Sequence, residues 1–321
     1  MTLRTLGRTS LSITPLGMGC WPITGITSID INEVDSLATI RAAFDAGITF
    51  FDTAYCYGYE GESEQMVARV LRQDREKIVL ASKGGIHWVA RKQVRCGRPE
   101  TLRLECDESL RRLQTDRIDL YYLHAPDPSV PIEESAGAIG ELIQQGKVLS
   151  AGLSNANVET LDRFHRACPL TAFQPHFNML QREIEDGPLP WCVEHGVAVV
   201  VYWPLMKGLL AGHLPREHVF GVKDGRNKYP MFSGDEWQKN QDFLDVLRAI
   251  AIEIGRPVSQ IVLNWTIRRP GITAALCGAK RPYQIRENAE SLSWSLTSDQ
   301  IVRINKAITE RGPIVSKAAV S

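Results

Sequence analysis

From FFD at 50–52, through IVLASK at 78–83, to DLYYLH at 119–124, the chain repeats one pattern: a short strand-forming run that ends on a polar side chain. Asp52, Lys83 and His124 close the three runs, and Tyr57 follows the first by five residues. Amphipathic stretches near 62–72 and 99–113 lie between them and carry apolar residues at helical spacing. Helical crossovers of that length are what parallel neighbouring strands require. Parallel, adjacent strands would bring all four side chains to one end of one sheet. An acid, a phenol, an amine and an imidazole gathered there form a proton-transfer site.

The alternation runs the length of the chain. Further strand candidates lie at 16–20, 148–153, 172–177, 197–202 and 272–277, and further helical patterns near 33–46, 132–145, 157–166, 188–195, 241–254 and 283–291. Eight strands alternating with eight helices predict an α/β (β/α)8 TIM barrel spanning 1–321 as a single domain. A doubly wound open sheet is the rival fold. It is disfavoured because no glycine-rich fingerprint follows the first strand and no composition break marks a second domain. Three additions are expected. Residues 2–14 read as an N-terminal β-hairpin around Gly7-Arg8-Thr9-Ser10 that plugs the barrel. Residues 206–240 are long enough for a lid or binding loop. Thr297 with Gln300 is a capping box that opens a C-terminal extra helix, expected to lie across the barrel.

At 321 residues and 35.8 kDa the chain can bury a large core. Lys+Arg and Asp+Glu both number 37, so no net field draws the protein to nucleic acid or an anionic membrane. The N-terminus has no apolar signal region, and no apolar run reaches membrane-spanning length. Seven scattered Cys without a CxxC pair suit a reducing cytoplasm. Asn264-Trp265-Thr266 is a glycosylation sequon set in a helical pattern and is discounted. GxGxxG, a P-loop and HExxH are absent from the sequence, and His213 and His218 lack metal-ligand spacing with nearby carboxylates.

In a barrel of this kind the active site sits at the C-terminal ends of the strands. Taken singly, each polar residue there has an ordinary explanation: a cap, a solvated lysine, a half-core tyrosine, a structural histidine. Together they supply what carbonyl reduction needs. Tyr57 would donate a proton to the developing alkoxide, and a nearby Lys83 ammonium would lower the phenol from its ordinary pKa of about 10. Asp52 would hold Lys83 by an ion pair, and His124 would orient the substrate oxygen. Trp21, Tyr55 and Trp88, on the loops after strands one to three, would wall an apolar substrate pocket.

These segments resemble the aldo-keto reductase family. GITFFDTAYCYGYEGESE (47–64) is similar to its signature block, with the aspartate at Asp52 and the tyrosine at Tyr57; IVLASKGG carries the lysine position and DLYYLHAPD the histidine. GKVLSAGLSN (146–155), QPHFNML (174–180), YWPLMKGLLAG (202–212) and CGAKRPYQIREN (277–288) continue the likeness in order. The resemblance implies a barrel that reduces aldehydes or ketones, usually with NADPH. By it, Ser154, Asn155 and Gln174 would hold the nicotinamide carboxamide and Tyr202 would stack on the ring. The segment 205–210, with Leu205, Lys207, Gly208 and Leu210, would lie over the pyrophosphate. Lys280 and Arg281 would meet the adenosine 2′-phosphate at a helix N-terminus, with Gln284, Glu287 and Asn288 around the adenine, and Gly278 would also line the cofactor site. Turn and capping chemistry is the alternative for Ser154, Asn155 and Gln174, and a solvated helix start for Lys280 and Arg281. Trp203 stands where relatives often carry Ser. Two other functions stay open: a lyase in which Lys83 forms a Schiff base, and a nicotinamide-sensing regulatory subunit with little turnover. The partner expected is a small-molecule carbonyl compound.

Overall fold

The structure, a computed structural model, describes residues 2–26, 28, 30–222 and 224–315. Eight parallel strands close on themselves: β3 (Leu16–Gly19), β4 (Phe50–Asp52), β5 (Val79–Gly84), β8 (Leu120–Leu123), β9 (Ala151–Ser154), β10 (Leu170–Gln174), β11 (Ala198–Val201) and β12 (Ala274–Cys277). The register runs Asp52 beside Ala81, Lys83 beside Tyr122 and Tyr122 beside Gly152. Around them lie α1 (Glu33–Asp45), α2 (Glu62–Leu71), α3 (Pro99–Leu113), α4 (Ile132–Gln144), α5 (Val158–Ala167), α6 (Pro188–His195), α7 (Gly234–Ile254), α8 (Val258–Ile267) and α9 (Pro282–Ala289). This is the expected (β/α)8 TIM barrel. Asn32 caps α1 by accepting the Asp35 N–H, and Asn157 caps α5 by accepting that of Thr160.

Alternation along each strand sorts the core into two layers. Leu16, Met18, Phe51, Leu80, Tyr121 and Leu123 face the helices. Phe50, Val79, Ala81, Leu120, Tyr122, Ala172, Ala198, Val200, Ala274 and Leu276 fill the barrel. Tyr122 takes its place because Gly152 beside it has no side chain; a Cβ there would sit 2.2 Å from the tyrosine ring. The hairpin β1 (Arg4–Thr5) with β2 (Ser12–Ile13) adds Leu6 and Ile13 to the same interior cluster, so it plugs the barrel as expected.

Several boundaries differ from the sequence reading. The sixth strand ends at Gln174 because Pro175 has no N–H for the ladder. Helix α7 begins at Gly234, so the long loop ends at 233, and it opens with a 3-10 turn over Met206–Ala211. Helix α8 adds a buried helix; its Asn264 donates to Ser291 O and Trp294 O, and the sequon is buried. The capping box of Thr297 and Gln300 opens α10 (Ser298–Arg311). That helix packs outside the barrel against α7, through Arg303–Glu253 and Arg311–Glu236 pairs of 2.6 and 2.5 Å, and does not cross the barrel. A second hairpin, β6 (Ile86–Val89) with β7 (Lys92–Arg95), follows β5 and was not foreseen. Among the described residues no helix is long and apolar enough to cross a membrane.

Candidate active site

The alternation that sends Val79 and Ala81 into the barrel sends Lys83, two residues on, to its upper rim. The same count places Asp52 above Phe50, His124 above Tyr122, Ser154 above Gly152, Gln174 above Ala172 and Tyr202 above Val200. Side chains from successive strands therefore converge. Lys83 Nζ donates to Asp52 Oδ1 at 2.5 Å, to Thr53 O at 2.8 Å and to Tyr57 Oη at 3.3 Å, and both members of the ion pair are buried. Gln174 Nε2 donates to Asp52 Oδ2 at 2.8 Å. Breaking such a buried pair from one side leaves an uncompensated charge, at a cost of roughly 3–5 kcal/mol.

Tyr57 reaches the rim from a loop tied down by backbone bonds of Tyr55 N to Lys83 O and Tyr57 N to Ala54 O, each 3.0 Å. Its ring meets the edge of Trp21 at 4.9 Å and stands 5.8 Å from the His124 ring, centroid to centroid. Here one expectation is corrected. Burial, reinforced by the Asp52 carboxylate, raises the Tyr57 phenol well above its ordinary pKa. Asp52 lies nearer the Lys83 ammonium than the phenol does, so at rest its carboxylate offsets part of the help that Lys83 gives a phenolate. Burial also raises the Asp52 carboxyl, opposed by Lys83 and Gln174. His124 is lowered well below its ordinary value by burial, then by Lys83 and Arg95, and is a neutral imidazole. Its Nδ1 lies 3.5 Å from Cys56 Sγ. Near neutral pH the rim thus presents a protonated phenol and a neutral imidazole, both competent hydrogen-bond donors.

Of the three aromatics expected to wall the pocket, Trp21 packs on Tyr57, and Trp88 donates from Nε1 to Cys56 O at 2.9 Å. Tyr55 does not join them. Its hydroxyl donates to Glu108 at 2.6 Å and its ring lies under Arg112, 4.3 Å to the centroid, so it faces α3. Two residues apart on one loop, Tyr55 and Tyr57 point to opposite sides, and Tyr57 takes the inward one. Gln93, on the unforeseen hairpin, donates to Cys56 Sγ at 3.8 Å.

On the other side of the rim, Ser154 Oγ donates to Gln174 O at 2.8 Å, Asn155 Nδ2 to His124 O at 3.0 Å, and Tyr202 Oη to Asn155 Oδ1 at 2.7 Å. Leu205 heads the 3-10 turn, where Met206, Lys207 and Gly208 all take positive φ and Leu210 is buried. Lys207 Nζ sits over the rings of Trp203 and Tyr229 at 4.3 and 4.9 Å, and burial, then Lys228, lowers it to about 8. Arg226, a residue the sequence reading missed, pairs with Asp224 at 2.6 Å and lies closest to Gly208. Asp224 and Arg226 both act on Lys280, whose amine burial lowers. Arg281 donates to Lys280 O and Asp30 O and lies 3.5 Å from Asp35. Gln284 accepts the N–H groups of Lys280 and Arg281, Glu287 accepts from Ser259, and buried Asn288 donates to Cys277 Sγ. Gly278 abuts Pro22, where a Cβ would lie 2.5 Å away. Lys207, Arg226, Lys228, Lys280 and Arg281 lend one side of the rim a strip of cations, with Asp224 paired to Arg226 and Asp35 beside Arg281. A partly dehydrated ammonium in that strip fits an anionic, phosphate-bearing group.

Fold and rim together define a (β/α)8-barrel protein with a buried carboxylate, amine, phenol and imidazole gathered beside a strip of cations. The model of the Aldo/keto reductase family matches residues 15–309. The chain is 35% identical to the aldo-keto reductase YhdN of Bacillus subtilis (strain 168), over 95% of this chain and 93% of that one. It is 33% identical to probable aldo-keto reductase 1 of Glycine max, over 94% and 88%. The solved structure of the glycerol dehydrogenase AKR11B4 from Gluconobacter oxydans superposes with a TM-score of 0.90 at 31% identity, covering 99% of this chain and 98% of that one. That of the aldo-keto reductase AKR11C1 from Bacillus halodurans, in its holo form, gives 0.78 at 26%, covering 100% and 98%. The chain belongs to the aldo-keto reductase family and is an oxidoreductase. The family uses nicotinamide cofactors and acts on small-molecule carbonyl substrates.

Proposed function

We propose that the protein reduces an aldehyde or ketone to the alcohol with NADPH, with Tyr57 as the general acid. The observation that carries the reading is the Lys83 ammonium shared between Asp52 Oδ1 and Tyr57 Oη at the barrel rim. When bound, the reduced nicotinamide supplies the hydride. Tyr57 donates its phenolic proton to the substrate oxygen, and Lys83 stabilises the oxygen left behind as charge develops on it. Neutral His124 donates a second hydrogen bond to the same oxygen. Asp52 keeps the ammonium in place, and Gln174 keeps Asp52 in place. Ser154, Asn155, Gln174 and Tyr202 would hold the nicotinamide end, Lys207 the pyrophosphate, and Lys280 with Arg281 the 2′-phosphate. Support for the phosphate ends is the cation strip just described.

A Schiff-base lyase needs Lys83 as a free amine able to attack a carbonyl. All three Lys83 hydrogen bonds end on oxygen, one of them the Asp52 carboxylate, so the amine is held as a donor, which disfavours that reading. The test is reduced-nicotinamide consumption with a panel of aldehydes and ketones. Carbonyl-dependent oxidation of NADPH, lost on Tyr57→Phe, supports the proposal; borohydride-trapped substrate on Lys83 without NADPH consumption overturns it.

A further inference from the structure

We propose that the carbonyl substrate carries an anionic group, a carboxylate or a phosphate, and that Arg95 receives it at the wall of the pocket. The inference rests on the carbonyl-reductase reading above and names the substrate class of that same site. In the hairpin β6–β7, Ile86 pairs with Arg95 and Trp88 with Gln93. Alternation puts these four residues on one face. Three of them demonstrably face the catalytic loop: Ile86 is buried with Ala54, Cys56 and Ala125, Trp88 bonds the Cys56 carbonyl, and Gln93 bonds the Cys56 thiol. Arg95, partly exposed, therefore extends on the side of the catalytic loop, and its charge bears on the imidazole of His124. The opposite face holds His87, bonded to Glu105, with exposed Val89 and Val94.

The carboxylates nearby are already taken. Glu105 accepts Gly85 N at 2.6 Å and His87 Nδ1 at 2.8 Å. Asp127 accepts Gly97 N and both donors of Ser129, and Asp52 holds Lys83 and Gln174. Among the described residues none forms a hydrogen bond or ion pair with the Arg95 side chain. A guanidinium with no protein acceptor is open to a ligand, and its fork matches a carboxylate or phosphate with two parallel bonds. The segment 85–98 also bears Arg91, Lys92, Arg95 and Arg98 and not one acid, in a chain whose charges balance at 37 each. A one-signed patch at a pocket mouth draws in ligands of the opposite sign.

The test uses the full-length protein with NADPH and matched substrate pairs: succinic semialdehyde against its methyl ester, and glyceraldehyde phosphate against glyceraldehyde. The wild type should favour the charged member of at least one pair by about tenfold or more in kcat/KM. Arg95→Gln should remove that preference, lowering kcat/KM for the charged member by about 10–100-fold through KM, and for the neutral member by no more than a few-fold. Arg95→Lys should restore part of the preference, which distinguishes a charge contact from a packing effect. The pair with the larger ratio tells carboxylate from phosphate. Equal kcat/KM within both pairs, or equal losses for charged and neutral members in Arg95→Gln, overturns the inference while leaving carbonyl reduction intact. Absence of turnover on every member overturns the carbonyl-reductase reading, and this inference with it.

Discussion

Replacing Tyr57 with Phe removes one hydroxyl and little else. The ring keeps its edge contact with Trp21 at 4.9 Å and remains under the Lys83 ammonium, 4.8 Å from the centroid. Lys83 loses its longest hydrogen bond, of 3.3 Å, and retains Asp52 at 2.5 Å and Thr53 O at 2.8 Å, so no buried charge is orphaned. Stability should change by about 1 kcal/mol or less, the net value of an ordinary hydrogen bond. The chemical loss is of another order. A positioned proton donor contributes about 10²–10⁴-fold, and neutral His124 can orient the carbonyl oxygen yet parts with a proton poorly. Turnover should therefore fall about 10²–10⁴-fold at unchanged NADPH affinity, read by absorbance of the reduced nicotinamide in steady state and by fluorescence titration without substrate. A Phe variant within tenfold of the parent would refute Tyr57 as the acid. A variant that loses NADPH binding in parallel would mean that the hydroxyl serves the fold of the rim.

Lys83→Met should lower turnover and thermal stability more than Asp52→Asn. The former strands a buried carboxylate with Gln174 as its partner, whereas the latter leaves the ammonium Thr53 O and Tyr57 Oη; the reverse order in kcat and melting temperature would show that Asp52 has the larger role. Lys207, with an amine lowered from 10.5 to about 8, binds fewer protons folded than unfolded between those values. Stability of the cofactor-free protein should accordingly rise from about pH 8 to about pH 10.5, with the penalty complete below that window. Phosphate binding favours the charged amine, so NADPH affinity should fall by up to about tenfold between about pH 7 and about pH 9, and Lys207→Met should flatten that dependence in fluorescence titrations. Lys280→Ala with Arg281→Ala should weaken NADPH binding on the order of 10²-fold and leave NADH nearly untouched; equal weakening of both would identify a solvated helix start.

The barrel was legible because its strands are buried on both faces and bounded by helical spacing, a signal independent of the fine detail of turns. Where the reading missed, a local rule had been broken. The hairpin β6–β7 turns at Ala90-Arg91, both with positive φ, 49° and 61°. That is the backbone of a tight hairpin turn, but its usual Asn or Gly is absent, so the turn signal was silent. The N-terminus of α7 carries Ser233 and the acids Asp235 and Glu236, an ordinary start, but Gly234 between them made the segment resemble more loop. Helix α8 is buried along its whole length, including Ser259, Gln260, Asn264 and Thr266, so it has no polar stripe from which to read a period.

The rim divides the same way. Asp52, Lys83, Ser154 and Gln174 end strands, and strand ends inherit their direction from the alternation beneath them, so counting by two from the apolar interior places each side chain inward. Loop residues inherit no such phase. Tyr55 and Tyr57 are equally plausible from the sequence, and only the bonds of Tyr55 N to Lys83 O and Tyr57 N to Ala54 O decide which ring turns in. Arg226 is farther still from any periodic element; Asp224, two residues before it, holds its guanidinium, and the loop carries the pair toward Gly208 and Lys280. The direction of the Tyr57 shift was missed for a related reason. Proximity to Lys83 was inferred correctly, but the effect of a charge depends on what else it faces. Burial comes first in raising the phenol, and Asp52, nearer to the ammonium than the phenol is, 2.5 against 3.3 Å, adds to the rise. A proton donor gains from that arrangement. On the proposed reading the phenol stays protonated at rest, and Lys83, 3.3 Å away, would stabilise the phenolate as the proton leaves.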